Sequence, residues 1–314
     1  MTNRPSTWIT LLGALLLPSM VWAGPALRIG VIPVADVLPL YAGVEQGYFA
    51  AEKLEVEMVN LASGTRIVEG LAGGSLDIGL SATLAILQAA QQGLDLIIVE
   101  PAAFMRRDRA AANGLMVSKA PGVTSPAGLK GKTIGVNALN NINYLMTVEL
   151  LARSGVGAKD VTWREVSFPQ MPAALENRSV DAVSIVEPFL TILRDSGKGI
   201  LLSPGQDVVP GISMSALAAL RPWSEKNRER LAAFDRAYKK GIAWCNREPE
   251  RARELLAKYA KTPPDIAGRI TLHAYRAAIE PAELLSLAAL AKRYGLLEGP
   301  PDIDRILAPT ARGR

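Results

Sequence analysis

The chain is poor in the residues that carry chemistry. Its 314 residues include one cysteine, Cys245, and one histidine, His273. A lone cysteine excludes an internal disulfide and any Cys-x-x-Cys redox or zinc motif. A lone histidine excludes the His-Glu-x-x-His zinc helix, and no Gly-x-Ser-x-Gly elbow is present. The segment Gly128–Thr133 looks like the end of a phosphate loop. That motif needs glycine at position 126, where Pro126 stands, and it should follow a strand instead of preceding one. Asp36, Glu45, Asp77, Asp181 and Glu187 are carboxylates whose spacing pairs no two as acid and base. Aromatic residues make up 5% of the chain and no basic stripe is interleaved with them, which argues against nucleic acid. His273 and Cys245 each fall in a helical pattern, so the first reads as a structural histidine and the second as an inert buried thiol. No metal and no cofactor is expected, and no enzymatic activity.

One long apolar run is present, and it lies at the start. Arg4 is the only charge before Arg28, and Ile9 to Val21 is almost unbroken apolar sequence. Val21-Trp22-Ala23 sets aliphatic or small residues at −3 and −1 of a cut after Ala23, the pattern of a secretory signal peptide over residues 1–23. The run falls short of the roughly 20 apolar residues that span a bilayer. There is no twin-arginine pair and no cysteine near the cut, so an ordinary secretory route to the periplasm is expected, without a lipid anchor. Removing Arg4 lowers the formal charge from +5 to +4, a mildly basic balance that suits an anionic partner weakly. Arg106-Arg107-Asp108-Arg109 is the densest charge cluster and reads as a solvated loop.

The rest of the chain repeats itself. Arg28-Ile29-Gly30-Val31 and Thr133-Ile134-Gly135-Val136 correspond at an offset of 105, and Leu71, Ser75 and Asp77 match Leu175, Ser179 and Asp181 at 104. The periodicity predicts strands over 27–32, 54–61 and 76–80, with helices over 39–50 and 65–73. The second copy gives strands over 133–136, 161–167 and 180–186, and helices over 141–154 and 170–177. Each half is β-α-β-α-β, which predicts an α/β protein of two lobes, each a parallel-rich sheet flanked by helices. Two crossings should join them as hinges, Gly114–Ser118 outward and Ile212–Leu220 on the return. Lobe 1 is then 24–113 with 217–314, and lobe 2 is 114–216. Beyond residue 220, helices are expected over 225–245 (capped by Ser224), from Pro249 to about Ala260, over 264–278 and over 282–294, packing on lobe 1.

Ligands of open parallel sheets lie beyond the carboxyl ends of the strands. The repeat therefore nominates facing loops as the ligand site. After the first strand of each half come Asp36 and the asparagine-rich Asn137–Asn143, from which Asn137, Asn141 and Asn143 are candidates, with Asn140 read as a plain helix cap. After the second come Ser63 and Thr65, facing Phe168–Met171. After the third come Ser81 and Thr83, facing Glu187 and Phe189. Hydroxyls and free amides at helix starts attract anions, and asparagine both donates and accepts. Met214, on the return crossing, is a candidate apolar wall.

Several segments carry a resemblance. They are Leu27–Gly30, Ala35–Tyr41, Glu45–Phe49, Gly70–Ile78, Leu129–Val136, and Ala174–Ala182 followed by Glu187-Pro188-Phe189. In order and spacing, over essentially the whole mature chain, the sequence resembles the solute-binding proteins of ABC importers for nitrate, sulfonates, taurine and thiamine-pyrimidine precursors. The resemblance implies the type II periplasmic-binding-protein fold, whose lobes close on a small solute and deliver it to an ABC permease in the inner membrane. That family often has Gly-Ser or Gly-Thr where Asn137-Ala138-Leu139-Asn140-Asn141 stands here, a departure that weakens a carry-over of alkanesulfonate specificity. Asp36 near the cleft argues against the simplest small-anion site, since a carboxylate there receives an amine, an amide or a hydroxyl. The cysteine cluster of pyrimidine-synthesising relatives is absent. The expected function is capture of a small polar organic solute (a sulfonate, a carboxylate or a pyrimidine-like molecule) for import. An enzyme on the same scaffold, acting on a pyrimidine or chorismate-like acid, is the alternative, as is a ligand-sensing partner of a membrane receptor.

Overall fold

The computed structural model describes residues 24–108, 111–119 and 123–313; the expected signal peptide lies outside them. In the first half, β1 (Leu27–Val31) leads through a single turn at Ala35–Val37 into α1 (Leu38–Glu45). Gly47 takes φ +70°, which breaks the expected helix over 39–50 and starts a separate α2 (Tyr48–Ala51). Then follow β2 (Val56–Asn60), α3 (Gly64–Ala72), β3 (Ile78–Ala82), α4 (Thr83–Gln91) and β4 (Leu96–Phe104). After β5 (Asn113–Ser118), the second half runs β6 (Thr133–Val136), α5 (Ile142–Arg153), β7 (Thr162–Glu165), α6 (Met171–Glu176), β8 (Ala182–Val186), α7 (Phe189–Asp195) and β9 (Gly199–Pro204). The chain ends with β10 (Ser213–Leu220) and helices α8 (Arg221–Lys226), α9 (Arg228–Arg247), α10 (Pro249–Tyr259), α11 (Pro264–Ala267) and α12 (Pro281–Arg293), besides single turns.

The strands form two five-stranded sheets of one design, β2-β1-β3-β10-β4 and β7-β6-β8-β5-β9. In each, four strands run the same way and only the one in the fourth position, β10 or β5, is antiparallel to both of its neighbours. The repeat reaches single hydrogen bonds. Asp77 accepts from the Arg28 amide at 2.9 Å, and its counterpart Asp181 accepts from the Thr133 amide at 2.8 Å. Ser75 Oγ donates to the Gly70 carbonyl and Ser179 Oγ to that of Ala174. Once per lobe, the aspartate fastens the turn before the third strand to the start of the first, and the serine fastens it to the preceding helix.

The segments expected to be crossings are strands. β5 lies between β8 and β9 in the second sheet, and β10 between β3 and β4 in the first. The chain passes between lobes just before each of them, and Met105 N–H donates to the Ile212 carbonyl at 2.8 Å where the two passages meet. Their apolar sequence reflects burial inside a sheet, not a linker.

The C-terminal helices pack on the first lobe. Gly241 of α9 makes this possible, because a Cβ there would come within 2.1 Å of the Pro39 carbonyl oxygen in α1. Phe234 stacks on Phe49 and Tyr238, and Tyr259 on Tyr41 at a centroid distance of 4.5 Å. Two expectations fail here. Ser224 is inside α8 and its hydroxyl donates back to the Arg221 carbonyl, so it caps nothing. The helix expected over 264–278 stops after Ala267. The chain then runs extended, with Ala274 bridged to Phe104 and Ile279 to Arg312. No helix among the described residues is long and apolar enough to cross a membrane.

Candidate functional site

A cavity of about 60 Å³ lies between the two sheets, lined from both lobes. Its walls are the carboxyl ends of parallel strands and the start of β10, which runs antiparallel and so brings Met214 and Ser215 to the same edge. Of the candidates, Asp36, Thr65, Ser81, Asn137, Asn141, Asn143 and Met214 line this cavity together. Asp36 and Asn137 occupy equivalent loops of the repeat and face one space.

Four candidates lie elsewhere. Ser63 caps α3, its hydroxyl accepting the Arg66 amide at 3.4 Å. Thr83 is fully buried with Oγ1 3.0 Å from Ser213 Oγ. Phe189 is buried in the hydrophobic core. Glu187 sits beneath the cavity, its carboxylate accepting from the Thr191 amide and hydroxyl and from the Thr271 amide. The side chains of Thr83, Phe189 and Glu187 turn inward, and that of Ser63 turns to its own helix.

The asparagines divide their work. Asn137 Oδ1 accepts from the side-chain amides of Asn141 (2.7 Å) and Asn143 (3.1 Å). Asn141 Oδ1 accepts the Tyr144 amide at 2.9 Å, which makes Asn141 the helix cap of α5. Asn140 is not a cap. It takes φ +58°, a conformation asparagine tolerates, and its carbonyl accepts from Gln88 Nε2 of the other lobe at 3.0 Å. With Asn137 Oδ1 doubly engaged, its own amide N–H groups are left to donate into the cavity.

Two helix starts open on the space. Ser63 satisfies the third amide of α3, leaving those of Gly64 and Thr65 without an intrahelical partner. A Cβ on Gly64 would lie 2.4 Å from Ser81 Oγ, so glycine is needed for this turn to approach β3. Ser81 Oγ is buried without a hydrogen-bond partner. Across the cleft, α5 presents Ile142 and Asn143.

Sequence reasoning missed Ser215 and His273. Ser215 Oγ donates to Asp36 Oδ2 at 2.5 Å, and His273 Nε2 lies 3.2 Å from Asp36 Oδ1. His273 is 3% exposed, and neither of its ring nitrogens makes a hydrogen bond of good geometry, Nε2 only lying close to Asp36. It arrives on the extended segment that the helical reading obscured; the alternation of Ile270 and Leu272, both buried, was the available signal. Burial raises the Asp36 pKa, but the adjacent His273 and the Ser215 hydroxyl outweigh it and hold the carboxyl below its ordinary value.

The order of this triad is serine–carboxylate–histidine. A nucleophilic serine needs the imidazole between itself and the acid. Here the hydroxyl spends its proton on a carboxylate, so the arrangement is not that of a nucleophilic serine. Among the described residues no group of three or more His, Cys, Asp or Glu could hold a metal.

Residues 34–252 match the family model described as "NMT1/THI5 like". Among curated proteins, the putative aliphatic sulfonates-binding protein of Bacillus subtilis (strain 168) is 28% identical over 236 residues, 73% of this chain and 68% of its own. The formylaminopyrimidine-binding protein of Halalkalibacterium halodurans is 28% identical over 220 residues, 69% of this chain; the match spans 64% of its length, a little under two thirds. Among solved structures, the ligand binding component of an ABC-type import system from Staphylococcus aureus, with zinc bound, superposes with a TM-score of 0.80 at 20% identity, covering 92% of this chain and 98% of that one.

Proposed function

The chain belongs to the NMT1/THI5-like family, and from that premise we propose that it is the solute-binding component of an ABC importer. It captures a small polar organic solute in the cleft and hands it to a membrane permease driven by an ATPase. Residues 1–23 act as an export signal and the mature protein works in the periplasm, against the outer face of the inner membrane. Lobe 1 comprises the chain before β5 with the chain from β10 onward, and lobe 2 lies between.

The observation that carries this reading is a cavity lined by polar groups from the loops of both lobes. Asp36 faces His273 there, and among the described residues no lysine or arginine lines the space. Bare anions find amide donors from Thr65 and Asn143 but also the Asp36 carboxylate. A solute with an acceptor or acidic end for the helix starts, and an amine, amide or hydroxyl end for Asp36, fits better than one anionic all round. An aminosulfonate, a small zwitterion and an aminopyrimidine share that pattern.

Ligand binding stabilises the folded state, by about 2.7 kcal/mol at 100 times the dissociation constant. A thermal-shift screen of simple sulfonates, carboxylates, nitrate, zwitterions and aminopyrimidines is expected to pick out molecules with both ends, recovered intact. No shift with any of these, or chemical turnover of one, overturns the proposal.

A further inference from the structure

Glu187 was nominated to touch solute, yet it is fully buried outside the cavity. Its bonds give it another task. From the end of β8 in lobe 2, its backbone carbonyl accepts the Ala35 amide at 3.2 Å, one residue before Asp36. Its carboxylate oxygen Oε1 accepts the Thr271 amide at 3.1 Å, two residues before His273. Both partners belong to elements on the first sheet. The turn at Ala35–Val37 follows β1, and the 270–275 segment bridges to β4 through Ala274 and Phe104. Tyr275 closes the arrangement by donating its hydroxyl to the Ala35 carbonyl at 2.7 Å.

These contacts form a ring that runs from the Glu187 carbonyl through Ala35 and Asp36, across to His273, back along the chain to Thr271, and into the Glu187 carboxylate. Glu187 also donates its own amide to the Ala112 carbonyl, immediately before β5, at 2.9 Å. It therefore sits where the chain enters lobe 2, at the pivot. A hydroxyl and an amide of Thr191 hold the carboxylate in place from α7, at 2.6 and 3.0 Å.

We propose that Glu187 is a positioning residue that ties the Asp36–His273 pair in lobe 1 to the pivot of lobe 2, so that the geometry of the pair depends on the angle between the lobes. A solute that closes the lobes thereby also sets the polar group it meets. This rests on the cleft being the solute site, but the ring can be tested without any solute.

His273 is the only histidine of the chain, so one labelled imidazole reports on it without assignment. In tagless protein carrying isotope-labelled histidine, Glu187→Gln puts an amide N–H₂ where a carboxylate oxygen now accepts. It is expected to move the imidazole ¹⁵N and ¹³C resonances at constant pH, because the partner of one ring nitrogen fixes the tautomer. Leu193→Ala, a buried change in α7 outside the ring, is the control for general destabilisation and should leave them in place. Ala35→Pro removes the other tether. Val34 is extended and Ala35 opens a helical turn, positions where proline and its predecessor are tolerated. This variant keeps the proposal testable if Glu187→Gln fails to fold, and it too should shift the signal. Resonances unchanged in the folded tether variants, or moved as far by Leu193→Ala, would overturn the assignment. A failed solute screen beside shifted resonances removes the functional reading and leaves the ring intact.

Discussion

Asn137 holds the asparagine cluster together by accepting two amides on one oxygen, and it keeps its own donors for the cavity. Asn141 instead caps α5. The two substitutions should therefore separate. Asn137→Ala is expected to cost affinity for any hit of the solute screen, about tenfold for a lost hydrogen bond of roughly 1.4 kcal/mol, and some stability as well, because the Asn141 and Asn143 amides lose their acceptor. Asn141→Ala should lower stability by about 0.5–2 kcal/mol. Titration calorimetry and urea unfolding on both variants check this; an equal affinity loss with no stability loss for Asn141→Ala would contradict the division. The crowding of asparagines at the junction was legible in the sequence, and so was its place at the cleft. Which asparagine does what was not, because the left-handed turn of Asn140 is set by Gln88 reaching over from the other lobe. That contact has no local signature. His273 was hidden for the same kind of reason: its partners Asp36 and Ser215 come from distant segments.

At the scale of elements, the parallel strands and the helices between them were readable from periodicity, and Thr133–Val136 was placed to the residue. The errors cluster where tertiary contacts override local pattern, in the extended 268–279 segment and the two inserted strands. The contact of β4 with α9 adds a polar liability. Glu100 is fully buried on β4 beside Asp235 of α9, and neither of its oxygens has a hydrogen-bond partner. Burial first, and then the neighbouring Asp235, push its pKa well above the ordinary value. A carboxyl raised in the folded state contributes its full stability below the unfolded value of about 4.3, and loses it as pH rises through the folded value. Wild-type stability is thus expected to decline in part from about pH 4.3 upward through this group. Glu100→Gln should flatten that decline, measured by urea unfolding at a series of pH values. An unaltered slope would show that the strand–helix contact tolerates the charge.

Across the whole molecule, direct lobe-to-lobe bonds hold the cleft shut. Glu149 of α5 is buried and accepts from Arg293 at the end of α12 (3.1 Å) and from the Tyr294 hydroxyl (2.6 Å), besides Arg153 of its own helix. Burial opposes its ionisation, but Tyr294 and the two arginines hold its pKa below the usual value. Glu149→Gln should loosen the closed form. Small-angle scattering is expected to give a larger radius of gyration for this variant without solute than for wild type, and a return toward the wild-type value when a screened solute is added at saturation. Equal radii under all conditions would remove both the hinge and the latch.

The insertion of β5 and β10 also constrains how the molecule is made. The first sheet cannot be completed from the first third of the chain, because the strand that fills the gap between β3 and β4 begins at Ser213. A nascent chain emerging N-terminus first would therefore carry β4 without its neighbour β10 until two thirds of its length had appeared. The second sheet draws all its strands from one continuous stretch between Asn113 and Pro204. It is complete first, so the lobe that is encoded in the middle is positioned to fold ahead of the lobe that is encoded at both ends.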